Sequence, residues 1–244
     1  MRTHPDEPAP SDGFTYVGSE LELFARARRW KAYLEVQVRA FLGSTVLEVG
    51  AGIGATTEAL GRRAHERWVC LEPDAQLAAE IVARRRDGGL PGWVYVEIGT
   101  LDTVQLGMFD SVIYIDVLEH IEDDRAELDR AARHLTHGGH LVVLSPAHAW
   151  LYSPFDRAIG HYRRYSARSL QAVGPAGLRL VRLRYLDALG TLTSAANRLF
   201  LTHRMPTPAQ IALWDGLIVP VSRVVDPLIG YSIGRSVLAV WQQP

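Results

Sequence analysis

The chain has 244 residues, 48% hydrophobic and 22% charged, with a formal net charge of −1. That length and balance suit one α/β domain with a real core, and leave no whole-molecule field to attract nucleic acid. A single cysteine, Cys70, excludes a disulfide framework and, lying in the apolar run at 68–71, reads as a core residue. No stretch approaches the roughly 20 uninterrupted apolar residues needed to cross a bilayer. Residues 1–13 are rich in Pro, Asp and Glu without an apolar segment, so they read as a loose tail and the chain as cytoplasmic.

In chain order, apolar residues at helical spacing over 20–42 (Leu23, Ala27, Trp30, Leu34, Val38, Leu42) predict one or two helices stopped by Gly43. Residues 45–50 form a short buried strand that breaks into a glycine-rich turn, with a helix over 56–64. A strand over 68–71 ends at Glu72, then a helix runs over 75–86. Strands follow at 94–98 and 109–115. Asp123 is placed to cap a helix through 135, and Gly138-Gly139 turn the chain into a fifth strand at 140–144. Strands alternating with helices in this way predict a Rossmann-like, doubly wound, mostly parallel seven-stranded sheet. The sixth strand is expected at 178–185 and the seventh at 236–241, with a helical insertion between them. The corresponding division is a tail and cofactor-covering helices over 1–43, a core over 44–185, a lid over 186–235 and a final strand over 236–244.

The most informative stretch is VLEVGAGIGA at 46–55. Glycines at 50, 52 and 54 let backbone approach a ligand closely, and the next helix offers its N-terminal amides. Glu72 closes the second strand 22 residues beyond Gly50, a distance that suits a carboxylate on two ribose hydroxyls. These features alone equally permit NAD, since Gly50, Gly52 and Ala55 satisfy G-x-G-x-x-G/A.

Glu48, two residues before Gly50, makes the stretch resemble motif I of class I S-adenosylmethionine-dependent methyltransferases. FDSVIYIDVLEHI at 109–121 is similar to that family's fourth-strand motif. DRAIGHYRRY at 156–165, with Arg29, Trp30 and Tyr33 and the tail segments WDGLIVP at 214–220 and GYSIG at 230–234, resembles a bacterial subgroup with a Gly-His-x-Arg-Arg-Tyr signature. The resemblance implies methyl transfer from S-adenosylmethionine, with S-adenosylhomocysteine as product. It implies cofactor contacts from Glu48, Gly50, Gly52, Gly54, Glu72, Pro73, Thr100, Leu101, Asp116 and Val117, with Trp30 and Tyr33 as an aromatic wall attractive to a sulfonium. Ordinary helix-face packing is the competing reading for those two aromatics.

An acceptor hydroxyl or protonated amine needs a base, and His120, His148 and His161 are the candidates. Asp156 and His161 share one loop and are expected to act as an oriented pair. Tyr152, Arg163, Arg164 and Tyr165 are candidates for the acceptor, the arginines for a carboxylate or phosphate on it, or else for an ion pair with Asp156 or another local acid. No cluster has metal-ligand spacing. The apolar insertion (Leu192, Leu199, Phe200, Leu201, Leu213, Trp214 among others) reads as a lid over an acceptor pocket, an oligomer face or a surface that rests on a membrane. The expected acceptor is a small or lipid-like molecule methylated on O, N or C, and the chain is expected as monomer or homodimer. Two other readings remain: an NAD-dependent oxidoreductase, and a protein that binds S-adenosylmethionine without transferring its methyl group.

Overall fold

The computed structural model describes residue 16, residues 21–200 and residues 206–244, the side chains of 197–200 excepted. The tail at 1–13 and the lid side chains of Leu199, Phe200 and Leu201 lie outside the described residues. Seven strands, β1 (Thr45–Val49), β2 (Arg67–Glu72), β3 (Val94–Ile98), β4 (Phe109–Ile115), β5 (Leu135–Pro146), β6 (Arg179–Leu186) and β7 (Ser236–Gln242), form one sheet in the order β3-β2-β1-β4-β5-β7-β6. The first five are parallel, and β7 runs antiparallel between β5 and β6.

Side chains alternate across each strand, so both faces of the sheet carry a core. Val46, Trp68, Cys70, Ile113 and Val142 face helices α2 (Arg28–Val38), α3 (Ala55–Leu60) and α4 (Ala75–Arg86). Leu47, Val69, Val112, Tyr114 and Val143 face α5 (Asp124–Ala132) and α7 (Ala167–Val173). Helices on both faces make the sheet doubly wound, as the alternation of elements predicted.

The first predicted helix is broken into α1 (Leu21–Ala25), α2 and a 3₁₀ turn at Arg39–Phe41. Strand β5 starts before its two glycines rather than after them. Gly138, at φ 77°, lies where β5 bulges against β4, and this left-handed geometry lets the strand pass through the irregularity. The loop at 145–165 contains a short helix, α6 (Pro154–Ala158), which Pro154 initiates. Between β6 and β7 lie α8 (Ala188–Phe200), α9 (Pro208–Leu213), a π-helical turn (Trp214–Ile218) and α10 (Val219–Leu228). Pro220 has no N–H for the Gly216 carbonyl, and Val219 N–H bonds back to Trp214 O instead, widening the turn. Arg29 donates to the carbonyl of Gly216 at 2.8 Å.

Candidate active site

A cavity opens at the carboxyl ends of β1, β4 and β5, the place where open α/β sheets bind ligands. The glycine loop (Gly50, Ala51, Gly52) forms one wall; Phe24, Trp30, Lys31 and Trp214 cover it from the N-terminal helices and the lid. Asp116, Glu119, His120, His161, Arg164 and Arg235 supply its charged and titratable groups.

Gly50 adopts φ 68°, and a Cβ there would lie 2.7 Å from Val117, so this position demands glycine twice over. Val117 therefore buttresses the loop and is not among the residues lining the cavity. At Gly52 (φ 56°) a Cβ would meet only Leu21 side-chain atoms at 3.6 Å, which leaves the loop face open to a ligand. Glu72 accepts from Gly52 N–H at 2.7 Å and Asp74 N–H at 3.0 Å, tying the loop to the end of β2. Its burial raises its pKa. Glu48 lies behind the loop, accepting from Thr57 Oγ1 at 2.7 Å and Trp68 Nε1 at 2.8 Å, and burial pushes its pKa up to about 7. Gly54 begins α3 in the left-handed region. Pro73, Thr100 and Leu101 lie outside the cavity wall, with Leu101 packed in the core and Thr100 N–H bonded to Thr103 Oγ1.

The two helix aromatics part ways. Trp30 lines the cavity, 5.7 Å from Trp214 between ring centroids. The expectation that Tyr33 walls the cofactor is corrected: it is buried in the core, and its hydroxyl donates to Asp226 Oδ2 at 2.7 Å. Lys31, which the sequence reading passed over, donates to the carbonyls of Phe24 (2.6 Å) and Ala25 (3.2 Å), pinning α1 over the cavity. Burial lowers its pKa to about 8.

His161 is buried, and its Nδ1 lies 3.0 Å from Asp156 Oδ1. Arg164 grips the same carboxylate with Nε at 2.7 Å and Nη2 at 3.0 Å, and Ser153 donates to it from N and Oγ. Burial alone would raise the pKa of Asp156, but bonds from His161, Arg164 and Ser153 hold it well below the usual carboxylate range. An ionised Asp156 favours the Nδ1–H tautomer and leaves Nε2 as an acceptor on the cavity side. Glu119 Oε1 lies 3.8 Å from that nitrogen. Neither Glu119 oxygen has a hydrogen-bond partner among the described residues; burial, then the charge of Asp116, pushes its pKa well up. His120 meets His161 edge to face at 4.5 Å, and burial lowers its pKa to about 3, so it is neutral and a poor base. Asp116 sits at φ 56°, and burial raises its pKa against the pull of Arg235 and His161.

Four other candidates lie outside the cavity. Arg163 pairs with Asp124 at 2.7 Å and bonds the Glu122 carbonyl, the ion pair with a local acid that was the alternative to acceptor binding. Tyr165 is buried and donates to Asp124 Oδ2. Tyr152 donates to the His161 carbonyl, fixing the loop. His148 stacks on Tyr185 at 5.0 Å, away from the cavity.

The sequence showed no metal-ligand spacing, yet folding brings one ligand-capable atom each of Glu119, His120 and His161 within 4.8 Å of one another. Arg235, also missed, lines the cavity with its guanidinium 4.5 Å from the Trp214 ring centroid. Both were hidden because their partners are distant in sequence.

Residues 47–141 match a family described as "Methyltransferase domain". Over 107 residues the chain is 35% identical to a ubiquinone biosynthesis O-methyltransferase from Xylella fastidiosa, covering 41% of each. The chain thus matches only about two-fifths of that relative's length. Among solved structures, the geranyl diphosphate C-methyltransferase of Streptomyces coelicolor, in complex with Mg²⁺, geranyl diphosphate and S-adenosyl-L-homocysteine, aligns with a TM-score of 0.64 at 14% identity, covering 93% of this chain and 84% of its own. The [4+2]-cyclase SpnF aligns with a TM-score of 0.59 at 15% identity, covering 88% of this chain and 81% of its own. These likenesses establish the fold as Rossmann-like and of the methyltransferase type. The antiparallel β7 inside the sheet also differs from the strand order 3-2-1-4-5-6 of the dinucleotide fold, which weighs against the NAD reading.

Proposed function

We propose that the chain is an S-adenosylmethionine-dependent methyltransferase whose acceptor is a small or lipid-like molecule carrying a hydroxyl. The observation that carries this reading is a glycine-walled cavity holding both an oriented histidine and an aromatic cover. The open face at Gly52 and the aromatics Trp30 and Trp214 fit a cationic donor, and Asp116 complements its charge. When bound, S-adenosylmethionine supplies an electrophilic methyl group and becomes S-adenosylhomocysteine.

The chain's own task is then to orient the acceptor and hold its proton. His161 Nε2 receives the hydroxyl proton, and Asp156 stabilises the resulting imidazolium through Nδ1. Arg164 keeps Asp156 ionised and in place. Glu119, favoured as the neutral acid, places no second negative charge beside Nε2. Oxygen is favoured over nitrogen and carbon as the acceptor atom by the named O-methyltransferase relative and by this base.

The test uses donor labelled in its methyl group, purified protein and a cell extract or a set of phenolic acceptors. Label should appear in a product absent with Gly52→Asp. With that acceptor, His161→Ala should lose on the order of 10²–10⁴ in turnover at nearly unchanged donor affinity. A full-rate His161→Ala enzyme would sink the base assignment. Donor binding with no labelled product across acceptors would overturn methyl transfer and favour binding without transfer.

A further inference from the structure

The lid helices carry apolar residues on both sides, and their two most deeply buried polar residues face inward while an apolar stripe faces out. From 208 to 228 the side buried against the molecule holds Ile211, Trp214, Val219, Ser222 and Asp226. The outward side holds Leu213, Leu217, Val221, Val224 and Leu228, spaced by three or four residues so that they form one stripe. Leu228 is 79% exposed, whereas Ser222 and Asp226 are fully buried. Between 208 and 229, Arg223 is the one charged or polar side chain among the exposed residues; the others are aliphatic, alanine, glycine or proline. The acids of the segment are both committed: Asp215 accepts from Arg29 and Trp30 N–H, and Asp226 from Tyr33, Asp187 and Ala188.

We propose that this stripe docks the protein on the surface of an anionic lipid bilayer. Charge complementarity selects this occupant. Arg29 and Arg223 flank the same groove beside the stripe, lined also by Ala32, Val219 and Pro220, with no exposed acid on the lid segment to oppose them. An apolar helix face with cations at its margin is the pattern of an interfacial helix, and the net charge of −1 does not reveal it because the pattern is local. A second copy of the chain would instead be expected to meet polar groups around the rim of such a face. No helix among the described residues is long and apolar enough to cross a membrane, so the contact is parallel to the surface. The opposite side of the same segment contributes Trp214 to the cavity, placing the docked face next to the cavity cover.

The experiment is flotation of the whole chain with vesicles of phosphatidylcholine, with and without phosphatidylglycerol. It needs no methyl transfer, so its outcome is separable from that of the proposed reaction. The wild type should float with the phosphatidylglycerol vesicles, and Leu217→Glu/Leu228→Glu should bind them at least about tenfold more weakly. Arg29→Glu/Arg223→Glu should remove the preference for anionic vesicles, and added salt should weaken binding of the wild type. Calorimetric binding of S-adenosylhomocysteine by the leucine variant shows that it is folded. Failure of the wild type to float overturns the proposal, as does sedimentation showing self-association abolished by the leucine variant without any vesicle binding.

Discussion

Glu48 shows what a residue's neighbours can do to a motif. It shares a face of β1 with Val46, which turns it toward Thr57 and Trp68 and away from the cavity. Burial lifts its pKa from the ordinary 4.5 to about 7. Between those values the folded chain holds a proton that the unfolded chain releases, so this residue's contribution to stability falls as pH rises through the window. The full effect is on the order of 3 kcal/mol. Glu48→Gln should flatten it, because both donors meet the same oxygen, which a glutamine carbonyl can supply. Urea unfolding from pH 5 to 8 should show the variant gaining on the wild type until about pH 7 and then running parallel. Curves parallel throughout would mean that Glu48 does not titrate in that range. Glu72 and Asp226 are also shifted upward, which is why the comparison must be with the variant and not with one pH profile.

At the scale of the element, α2 begins without a cap of its own. Ala27 occupies the capping position, and the first turn carries Arg28 and Arg29 where a helix dipole favours acids. The missing acceptor comes from the lid: Asp215 takes Trp30 N–H at 2.8 Å and Arg29 N–H at 3.2 Å. Local rules read α4 well, since Asp74 caps it through Gln76 and Leu77 N–H, and they read Asp123 at α5 equally well. They cannot read α2, because its cap is supplied from 185 residues away. Asp215→Ala should therefore cost about 0.5–2 kcal/mol, and Asp215→Asn less. The readout is the denaturant midpoint at constant slope. A wild-type midpoint for the alanine variant would show that the cap contributes nothing.

For the whole molecule, the periodicity of strands and helices was enough to give seven strands, two covered faces and an insertion before the last strand. The glycine loop and the Asp156–His161 spacing pointed to residues that folding does bring to or beside one cavity. What stayed hidden was long-range polar bonding, since hydrophobic periodicity carries no record of it. The clearest case joins α2, the end of β6 and the lid. Asp226 accepts from Tyr33 Oη, Asp187 N–H and Ala188 N–H, while Asp187 accepts from Trp214 Nε1 and Ser222 Oγ. Asp187 holds φ 66°, a strained geometry that this network stabilises. Tyr33→Phe tests the network sharply, because phenylalanine keeps the ring and loses only the hydroxyl. If Tyr33 couples α2 to the lid, the variant should lose about 1.5–3 kcal/mol, the range for a hydrogen bond to a charged group. Hydrogen exchange should then quicken together in α2 and α10, with β1 and β4 unchanged, because the cover opens as a unit separate from the core. Donor affinity should shift less than about threefold, the cavity aromatics being Trp30 and Trp214. Unchanged stability combined with a large loss of donor affinity would reverse the assignment and return Tyr33 to the cofactor wall.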